Sequence, residues 1–427
     1  MLTEIVTRRT IGRLPGRTRG PARLKGMTPP DAEVPPADGP ADRAYRANEA
    51  ARSVTAIFGQ RLFFLPGTHI AAIQRPSKRV ENLFRPWHYW WQAHYVDCLV
   101  DTGRRELGNG ATPAARFDGP DRPSAGRLAS RLVTGIRLRN LLTFVNNYYD
   151  DMAWLALSTL RLEKLAEETR RPGRRRNARI RRTLTLQFDS ASTDDLGGGT
   201  FWSKKRDFKN TPATAPVALY YARTGSPAKA QDLLDWLDAR LFDTDQGLYL
   251  DGVRISSTGE VMVESAVYTY NQGPVLGALL ELGGEANLAR AATVVEAVEQ
   301  HLTRPSPDRP GTQVLRCDGT GDGGLFTGIL ARYLALASAD ARLPAAVRAT
   351  AARLVLDTAD AFWNGRRPIN DAEPLAGHAG KLVFSSLPET SAADTYPPGA
   401  AVELSTQLQA WMVLEAAATV RQQPPGN

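Results

Sequence analysis

The chain has 427 residues, of which 42% are hydrophobic, and it contains eight Trp, which is enough apolar material for one large packed core. Its net charge of +8 is unevenly distributed: residues 1–27 carry +6 and residues 161–182 carry +7, which leaves about −5 for the remainder. We therefore do not expect a nucleic-acid-binding protein. The two cysteines, Cys98 and Cys317, exclude a disulfide framework, and no Cys/His spacing indicates a zinc site.

The first 42 residues are rich in Arg, Pro and Gly and poor in apolar residues, so we expect a disordered leader there. No apolar stretch follows Arg8 and Arg9, so no signal peptide is expected, and no run approaches the ~18 apolar residues of a membrane span. We expect a monomeric cytoplasmic protein without a membrane or nucleic-acid partner. Its single domain covers residues 43–421, and residues 422–427 form a tail.

From Ala41 onward the pattern is helical. Apolar residues recur near the 3.6-residue period in eleven segments, and residues 126–143 can supply a twelfth helix. The eleven segments are 42–59, 87–102, 150–169, 176–188, 213–224, 227–241, 271–283, 285–302, 322–338, 344–364 and 401–421. Because no alternation of strands and helices and no strict repeat is visible, we predict an all-α fold of stacked helical hairpins, closed rather than open.

Two further segments interrupt the helical pattern. In residues 247–270, Leu248–Leu250 and Val261–Val263 flank a polar turn, which predicts a small β-hairpin-like insertion. Residues 365–400 predict a long loop before the last helix, and a loop of that length is usually functional or disordered.

Five clusters that combine aromatic, amide and carboxylate side chains occur at predicted helix starts or in the loops before them. They are Trp87–His94, Asn146–Trp154, Gly197–Asn210, Tyr268–Gly273 and Asp318–Phe326. Stacking surfaces combined with a few placed polar groups are typical of ligand clefts. Without any cofactor motif beside them, these clusters indicate a carbohydrate-binding cleft.

Asp150 and Asp151 are the strongest catalytic candidates. A structural explanation also exists, because carboxylates at a helix start accept hydrogen bonds from unpaired backbone N–H groups and interact favourably with the helix dipole. The segment alone does not separate the two explanations. The other four clusters favour catalysis, since a capping pair has no reason to accompany aromatic and amide residues at successive helix starts.

Two glycine-rich segments match ion-binding motifs only in part. Gly197–Gly199 lacks the Lys-Ser/Thr ending and the preceding strand of a phosphate-binding loop. Asp318–Gly324 lacks the ligand ladder and terminal Glu of a calcium loop. The Arg-rich stretch 170–182 has no interleaved aromatic residues, so we interpret it as a solvated helix face.

In this order, the five clusters resemble glycoside hydrolase family 76, the endo-α-1,6-mannanases. The family patterns "WYWWQAH", "YYDDMAWWALA", "GGGIWW…RDYKNAPA", "YNQG" and "GDQGLFKGI" have counterparts at Trp87–His94, Tyr148–Leu157, Gly197–Ala213, Tyr270–Gly273 and Gly321–Ile329. The resemblance covers roughly residues 45 to 420. Leu155, Gly323 and Thr327 depart from the common pattern.

The resemblance implies an (α/α)6 toroid with a groove for linear mannan, and a retaining mechanism that needs no metal or organic cofactor. It implies Asp150 as the nucleophile and Asp151 as the general acid/base. Retaining hydrolysis needs carboxyl groups ~5–5.5 Å apart, and repulsion between them raises one pKa and so separates the roles. The candidate substrate-binding residues are Trp90, Trp91, Asn147, Tyr149, Trp202, Asp207, Asn210, Tyr270, Asn271, Gln272 and Asp322.

Two other functions stay open at this point. A sugar isomerase or epimerase on the same toroid would use paired histidines, and of the five present only His88 and His94 lie in a cleft motif. A glycan-binding module without activity is the third hypothesis, because the chain departs from the family pattern at Leu155 and Gly323. Retention of both Asp150 and Asp151 argues against it.

Overall fold

A computed structural model describes residues 39–76, 87–256, 258–307 and 309–421. Within these residues twelve long helices alternate between an outer and an inner layer. The outer helices are α1 (Pro40–Phe58), α3 (Ala125–Arg139), α5 (Arg174–Ala191), α7 (Pro227–Arg240), α9 (Glu285–His301) and α11 (Ala345–Asn364). The inner helices are α2 (Tyr89–Gly108), α4 (Tyr149–Glu168), α6 (Thr211–Arg223), α8 (Thr269–Leu282), α10 (Phe326–Ala339) and α12 (Leu404–Thr419).

The predicted all-α class is confirmed, and each predicted helical segment corresponds to one of these helices. The predicted leader lies outside the described residues except for its end, where α1 begins at Pro40, and the predicted tail lies wholly outside them. In the part of the chain that the structure describes, no helix is long and apolar enough to cross a membrane.

The six inner helices form a closed ring. Each packs on the next, from α2 through α4, α6, α8 and α10 to α12, and α12 packs back on α2. Each outer helix lies beside one inner helix: α1 on α12, α3 on α2, α5 on α4, α7 on α6, α9 on α8 and α11 on α10. This is the (α/α)6 toroid, and because outer and inner helices alternate in direction, all inner helices begin at the same end.

The inner helices are surrounded by other helices over most of their length, so their sequences are more apolar than those of the outer helices. In α12 every residue from Leu404 to Ala417 is buried. Glycine permits the closest approaches: a Cβ on Gly328 of α10 would lie 2.9 Å from the main chain of Gln409 in α12, and one on Gly277 of α8 would lie 2.6 Å from the ring of Tyr333. The ring is therefore packed too tightly for larger side chains at these positions.

Short antiparallel strands tie the loops together. The pairs are β1 (Gly59–Gln60) with β2 (Ile70–Ala71), β3 (Gln74–Arg75) with β13 (Val402–Glu403), β5 (Phe242–Asp243) with β6 (Leu248–Tyr249), β9 (Thr303–Pro305) with β10 (Gln313–Leu315), and β11 (Arg367–Pro368) with β12 (Leu382–Val383). A three-stranded sheet has the order β4 (Phe208–Asn210), β7 (Gly252–Ile255), β8 (Val261–Glu264). Residues 365–400 contain β11, β12, a 3-10 turn at Ala376–His378 and one turn of α-helix, Ala392–Thr395.

The predicted hairpin exists, but one of its strands was assigned wrongly. Val261–Val263 pairs with β7, not with Leu248–Leu250. Leu248 and Tyr249 are fully buried and pair with β5, whereas Val261 and Val263 are half exposed. Apolar alternation marks both segments equally, and only burial distinguishes a strand in the core from a strand on the surface.

Four charged side chains form a closed cluster inside the ring. Asp97 and Asp101 of α2 each bind Arg161 of α4, and their second oxygens lie 3.3 Å and 3.0 Å from Arg332 of α10. Burial raises the pKa of Asp97, but the guanidinium groups of Arg161 and Arg332 outweigh it, so the net pKa is lowered. The cluster thus stays ionised and connects three inner helices.

We expect Arg332→Met to lower the free energy of unfolding by about 3 kcal/mol, because it leaves two buried carboxylates with one cation. Urea denaturation followed by circular dichroism measures this. Arg353→Met on α11 is the control, since that side chain is 42% exposed and pairs with Glu299 at the surface, where we expect less than about 1 kcal/mol. Equal effects of the two changes would contradict the assigned role.

Candidate active site

The candidate site lies at the end of the toroid where the inner helices begin. Hydrogen bonds join segments that are distant in sequence. The indoles of Trp90 and Trp91 at the start of α2 donate to Asp322, which precedes α10. The amide of Gly321 donates to Glu403, which precedes α12, at 2.6 Å. Clusters far apart in sequence therefore form one polar and aromatic surface.

Asp150 and Asp151 occupy the first turn of α4. One oxygen of Asp150 accepts a 2.9 Å hydrogen bond from the backbone N–H of Asp151, and the other accepts a 3.0 Å bond from the indole N–H of Trp202. Asp151 accepts a 2.6 Å bond from the amide of Asn146. Asp150 is therefore a partial cap, but its second oxygen is held by a cleft side chain.

The backbone brings Trp202 to this position. The amide of Tyr149 donates to the carbonyl of Trp202 at 2.8 Å, and Tyr148 pairs with Ser203 in an antiparallel bridge. The amide of Trp202 donates in turn to the carbonyl of Phe208 in β4. The loop before α6 is thus fixed to the start of α4, which orients the indole toward Asp150.

The electrostatics of the pair favour different protonation states for the two carboxyl groups. Burial raises the pKa of Asp150 to about 7, while the hydrogen bonds from Asp151 N–H and Trp202 oppose the shift. Burial and then the charge of Asp150 raise the pKa of Asp151 well above its usual value. Near neutral pH, Asp150 is therefore the first of the two to ionise, and Asp151 retains its proton.

Aromatic rings form a wall of the site. Tyr270 stacks on Phe326 with centroids 3.8 Å apart and planes inclined by 12°, and Trp90 lies 6.4 Å from Tyr270. The rings of Tyr148 and Trp202 are 4.9 Å apart. Burial raises the pKa of Tyr270, as do nearby carboxylates that include Asp150. This places its phenol among the charged groups of the cleft.

Asp322 links two tryptophans through a single oxygen. That oxygen accepts bonds of 3.1 Å from Trp90 and 2.8 Å from Trp91, while the side chain remains 57% exposed. Trp91 is buried and stacks on His88 at 4.1 Å. Asp322 is therefore both an anchor for the two indoles and an exposed carboxylate at the surface of the site.

A buried lysine holds the glycine-rich loop. Lys209 in β4 has no exposed surface, and its ammonium donates to the carbonyls of Thr193, Asp195 and Gly198, each at 2.7 Å. A Cβ on Gly199, whose φ is +76°, would lie 2.6 Å from the ring of Trp236. The glycines are therefore needed for close packing rather than for a phosphate.

Several predicted binding residues already have partners within the protein. Tyr149 is buried in the core. Asn210 caps α6 by accepting from the amide of Ala213, and Gln272 is fully buried, with its side chain bonded to the main chain of Tyr249. The structure thus places these three side chains in packing or backbone support.

The remaining predicted polar residues differ in exposure. Asn147 is exposed, and Asp207 has a 45% exposed side chain that lies 3.9 Å from Arg254. Asn271 is buried, and its side-chain amide donates to Asp251 at 3.3 Å. The side-chain oxygen of Asn271 has no hydrogen-bond partner among the described residues. Whether these residues bind substrate stays a prediction.

Sequence reasoning did not select Asp251, Asn146 or Phe326. Asp251 contacts Asn271, and burial raises its pKa to about 6. It lies beside Gly252 in a segment that reads as a turn, so no signal singled it out. Asn146 and Phe326 lie inside recognised clusters, but only their contacts with Asp151 and Tyr270 show that they belong to the site.

The two histidines of the first cluster do not form an acid/base pair in the structure. His94 is 1% exposed and contacts Trp154 at 4.8 Å, and neither of its ring nitrogens has a hydrogen-bond partner among the described residues. The ring of His88 is instead 3.7 Å from the carboxylate of Asp322. A search of the described residues finds no group of side chains suited to hold a metal ion.

Comparison with known proteins identifies one family. The model of glycosyl hydrolase family 76 matches residues 137–374. No match is found among curated proteins.

Solved structures similar to this chain include the GH76A α-1,6-mannanase of Salegentibacter sp. HEL1_6, with 24% identity, a TM-score of 0.69, and coverage of 89% of this chain and 100% of that one. An inactive variant of that enzyme, with two aspartates replaced by asparagine and α-1,6-mannotriose bound, has 25% identity, a TM-score of 0.69 and the same coverage. A family 76 mannosidase of Bacteroides thetaiotaomicron has 16% identity and a TM-score of 0.67, with coverage of 88% and 98%.

We expect Asp151→Asn to stabilise the fold by about 1 kcal/mol at pH 8 and to have little effect at pH 4. The folded-state pKa of Asp151 lies above its unfolded value, so stability falls as pH rises above the unfolded pKa, where the unfolded chain releases this proton and the folded protein still holds it. Asparagine removes that cost and can still accept from Asn146.

Urea midpoints at the two pH values measure the effect. Asp150→Asn should stabilise less, because both oxygens of Asp150 accept N–H bonds and an amide can replace only one of them. Asp232→Asn, at an exposed position on α7, is the control. A destabilised Asp151→Asn at pH 8 would be inconsistent with the raised pKa.

Proposed function

This chain belongs to glycosyl hydrolase family 76, and we propose that it is a retaining, endo-acting α-1,6-mannosidase that hydrolyses α-1,6-linked mannan or mannooligosaccharides. The observation that carries the proposal is the pair Asp150 and Asp151 at the start of α4, with Trp202 bonded to the first and Asn146 to the second. The mannotriose complex of the Salegentibacter variant, which lacks two aspartates, supports the substrate class.

In the proposed first step, the ionised carboxylate of Asp150 attacks the anomeric carbon while Asp151 donates its proton to the leaving oxygen. The glycosidic C–O bond breaks and an ester between the sugar and Asp150 forms. The hydrogen bond from Trp202 and the N–H of Asp151 favour the anionic form of Asp150. Both donors therefore help to keep the nucleophile ionised in a partly buried site.

In the second step, Asp151 takes a proton from water, and the water oxygen displaces Asp150 from the anomeric carbon. The proximity of the two carboxyl groups explains why Asp151 acts as an acid in the first step and as a base in the second. The charge of Asp150 raises the pKa of Asp151, and ester formation removes that charge, so the pKa of Asp151 falls when a base is required. Two inversions leave the product in the α configuration.

The aromatic wall suits a chain of pyranose rings. Trp90 lies close to Tyr270, and Trp202 lies close to Tyr148 and is bonded to Asp150, while Asp322 adds an exposed acceptor for hydroxyl groups. The six inner helices begin at the end of the toroid where the carboxyl pair lies, and we propose an open groove there that allows cleavage inside a chain. We therefore favour endo action on a linear polymer.

The catalytic roles are tested with an aryl glycoside of α-1,6-mannobiose and sodium azide. Asp150→Ala and Asp151→Ala should each lower kcat on α-1,6-mannotetraose by more than about a thousandfold. With azide, Asp150→Ala should give the inverted β-mannosyl azide, and Asp151→Ala should give the retained α-mannosyl azide. The reverse pattern would exchange the two roles.

Asp232→Ala serves as the matched control and should keep full activity. Product configuration is read by proton NMR in the first minutes of mannotetraose hydrolysis by the unmodified protein. Initial release of the β-anomer would sink the retaining mechanism, and binding of mannotetraose without turnover would support a glycan-binding module instead.

We expect Trp202→Phe to move the acidic limb of the kcat/KM profile to higher pH by roughly half a unit to one unit. The substitution removes a donor to the ionised form of Asp150, so its pKa rises above about 7. Trp363→Phe on α11, which packs against Tyr45 away from the pair, is the control. An unshifted limb in Trp202→Phe would show that this hydrogen bond does not set the ionisation.

A further inference from the structure

Three segments form a continuous basic face on the outside of the toroid: residues 59–76, 125–145 and 170–188. The amide of His69 donates to the carbonyl of Arg131 in α3 at 3.1 Å. From the other side, Arg176 of α5 donates to Ser130 and Thr134 of α3, each at 3.1 Å. Helix α3 therefore lies at the centre of the face, with the loop after β1 on one side and α5 on the other.

The basic face carries 14 Arg and no Asp or Glu within its three segments. Arg174 and Arg181 form salt bridges with acidic residues of α4. Burial and then the charges of Arg127 and Arg61 lower the pKa of Arg131, which shows that these guanidinium groups lie close enough to repel one another. The face is a concentration of positive charge.

Large apolar side chains are exposed within the segments of the basic face. Phe63 and Phe64 are 53% and 77% exposed, and Leu141 and Leu142 are 89% and 63% exposed. All four have positive φ, between 45° and 65°, a conformation that costs a bulky residue free energy. Exposed apolar residues held in strained turns are a poor arrangement for water alone, and such strain is often kept at functional sites.

Between α3 and α5 the face has a groove of about 380 Å³. Leu142, Phe144 and Ile180 line it together with guanidinium groups that include Arg137 and Arg176. Apolar surface framed by arginines is the arrangement with which amphipathic surfaces enter the headgroup region of a bilayer.

We propose that the basic face docks on an anionic lipid bilayer, with Phe63, Phe64, Leu141 and Leu142 inserted among the headgroups and the surrounding arginines bound to lipid phosphates. Cytoplasmic-leaflet anionic lipids attract such clusters by about 1 kcal/mol per Lys or Arg. A nucleic acid would match the charge. However, Leu141 and Leu142 are the most exposed and the third most exposed of the four apolar residues, and leucine offers no ring for stacking on bases.

Docking in this way sets the position of the cleft. The turn Leu141–Leu142 ends α3 and leads within one loop to Asp150, and the carbonyl of Phe144 in that loop accepts a 2.8 Å bond from the hydroxyl of Tyr89 in α2. The bilayer would therefore lie beside one rim of the site. Sequence alone predicts no membrane partner because these apolar residues form no span and lie in separate segments.

The test is co-sedimentation of the full-length protein with vesicles of phosphatidylcholine, with and without phosphatidylglycerol. We expect binding only to the anionic vesicles, weakened by added salt. Phe63→Ser with Phe64→Ser, and separately Arg127→Gln with Arg131→Gln and Arg137→Gln, should each lower the partition coefficient by about tenfold or more.

Matched controls replace the same numbers of exposed apolar and cationic side chains at positions outside the basic face. Val261→Ser with Val263→Ser changes two half-exposed apolar residues of β8, and Lys229→Gln with Arg304→Gln and Arg353→Gln removes three surface charges. Both controls should bind like the unmodified protein. The proposal fails if the unmodified protein ignores anionic vesicles, or if the patch variants bind as well as it does. It also fails if the arginine variant alone loses binding while a soluble polyanion such as heparin competes fully.

Discussion

The closed cluster of Asp97, Asp101, Arg161 and Arg332 is the constraint on which the inner ring depends. Each carboxylate meets both guanidinium groups, so removal of any member leaves a buried charge without its partner. The cluster joins α2 and α4 to α10, which are not all neighbours in the ring. The beginnings of these helices are thereby held in a fixed relation, and Asp150, Trp90 and Asp322 lie on those beginnings.

Much of this arrangement can be predicted from the sequence. Helix positions follow from apolar periodicity because the outer helices expose one face and the inner ones bury most of their residues. The pair Asp150–Asp151 is recognisable because it follows a polar-aromatic tetrapeptide, and the other clusters occur at equivalent points of successive hairpins. Since equivalent ends of parallel inner helices meet at one end of a toroid, repeated polar clusters at those ends predict a common site.

Other features depend on contacts that no local pattern contains. Gln272 and Asn210 read as hydroxyl-binding amides, but the first satisfies the main chain of Tyr249 and the second caps α6. An amide that supports the backbone and an amide that faces a cleft have the same sequence signal. Asp251 was missed for the opposite reason, because its carboxylate beside Gly252 resembles a turn, and its partner Asn271 lies on another element.

Lys209 also has a consequence for the order of the site. Its ammonium gathers oxygens of Thr193, Asp195 and Gly198 around one positive charge, much as a bound cation organises a loop. A dissolved ion can leave such a position, and its occupancy depends on concentration. Lys209 is part of the chain, so the organising group is present in every folded molecule, although burial lowers its pKa to about 8. The conformation of the loop that presents Trp202 is therefore set by the folded chain itself and needs no bound ion.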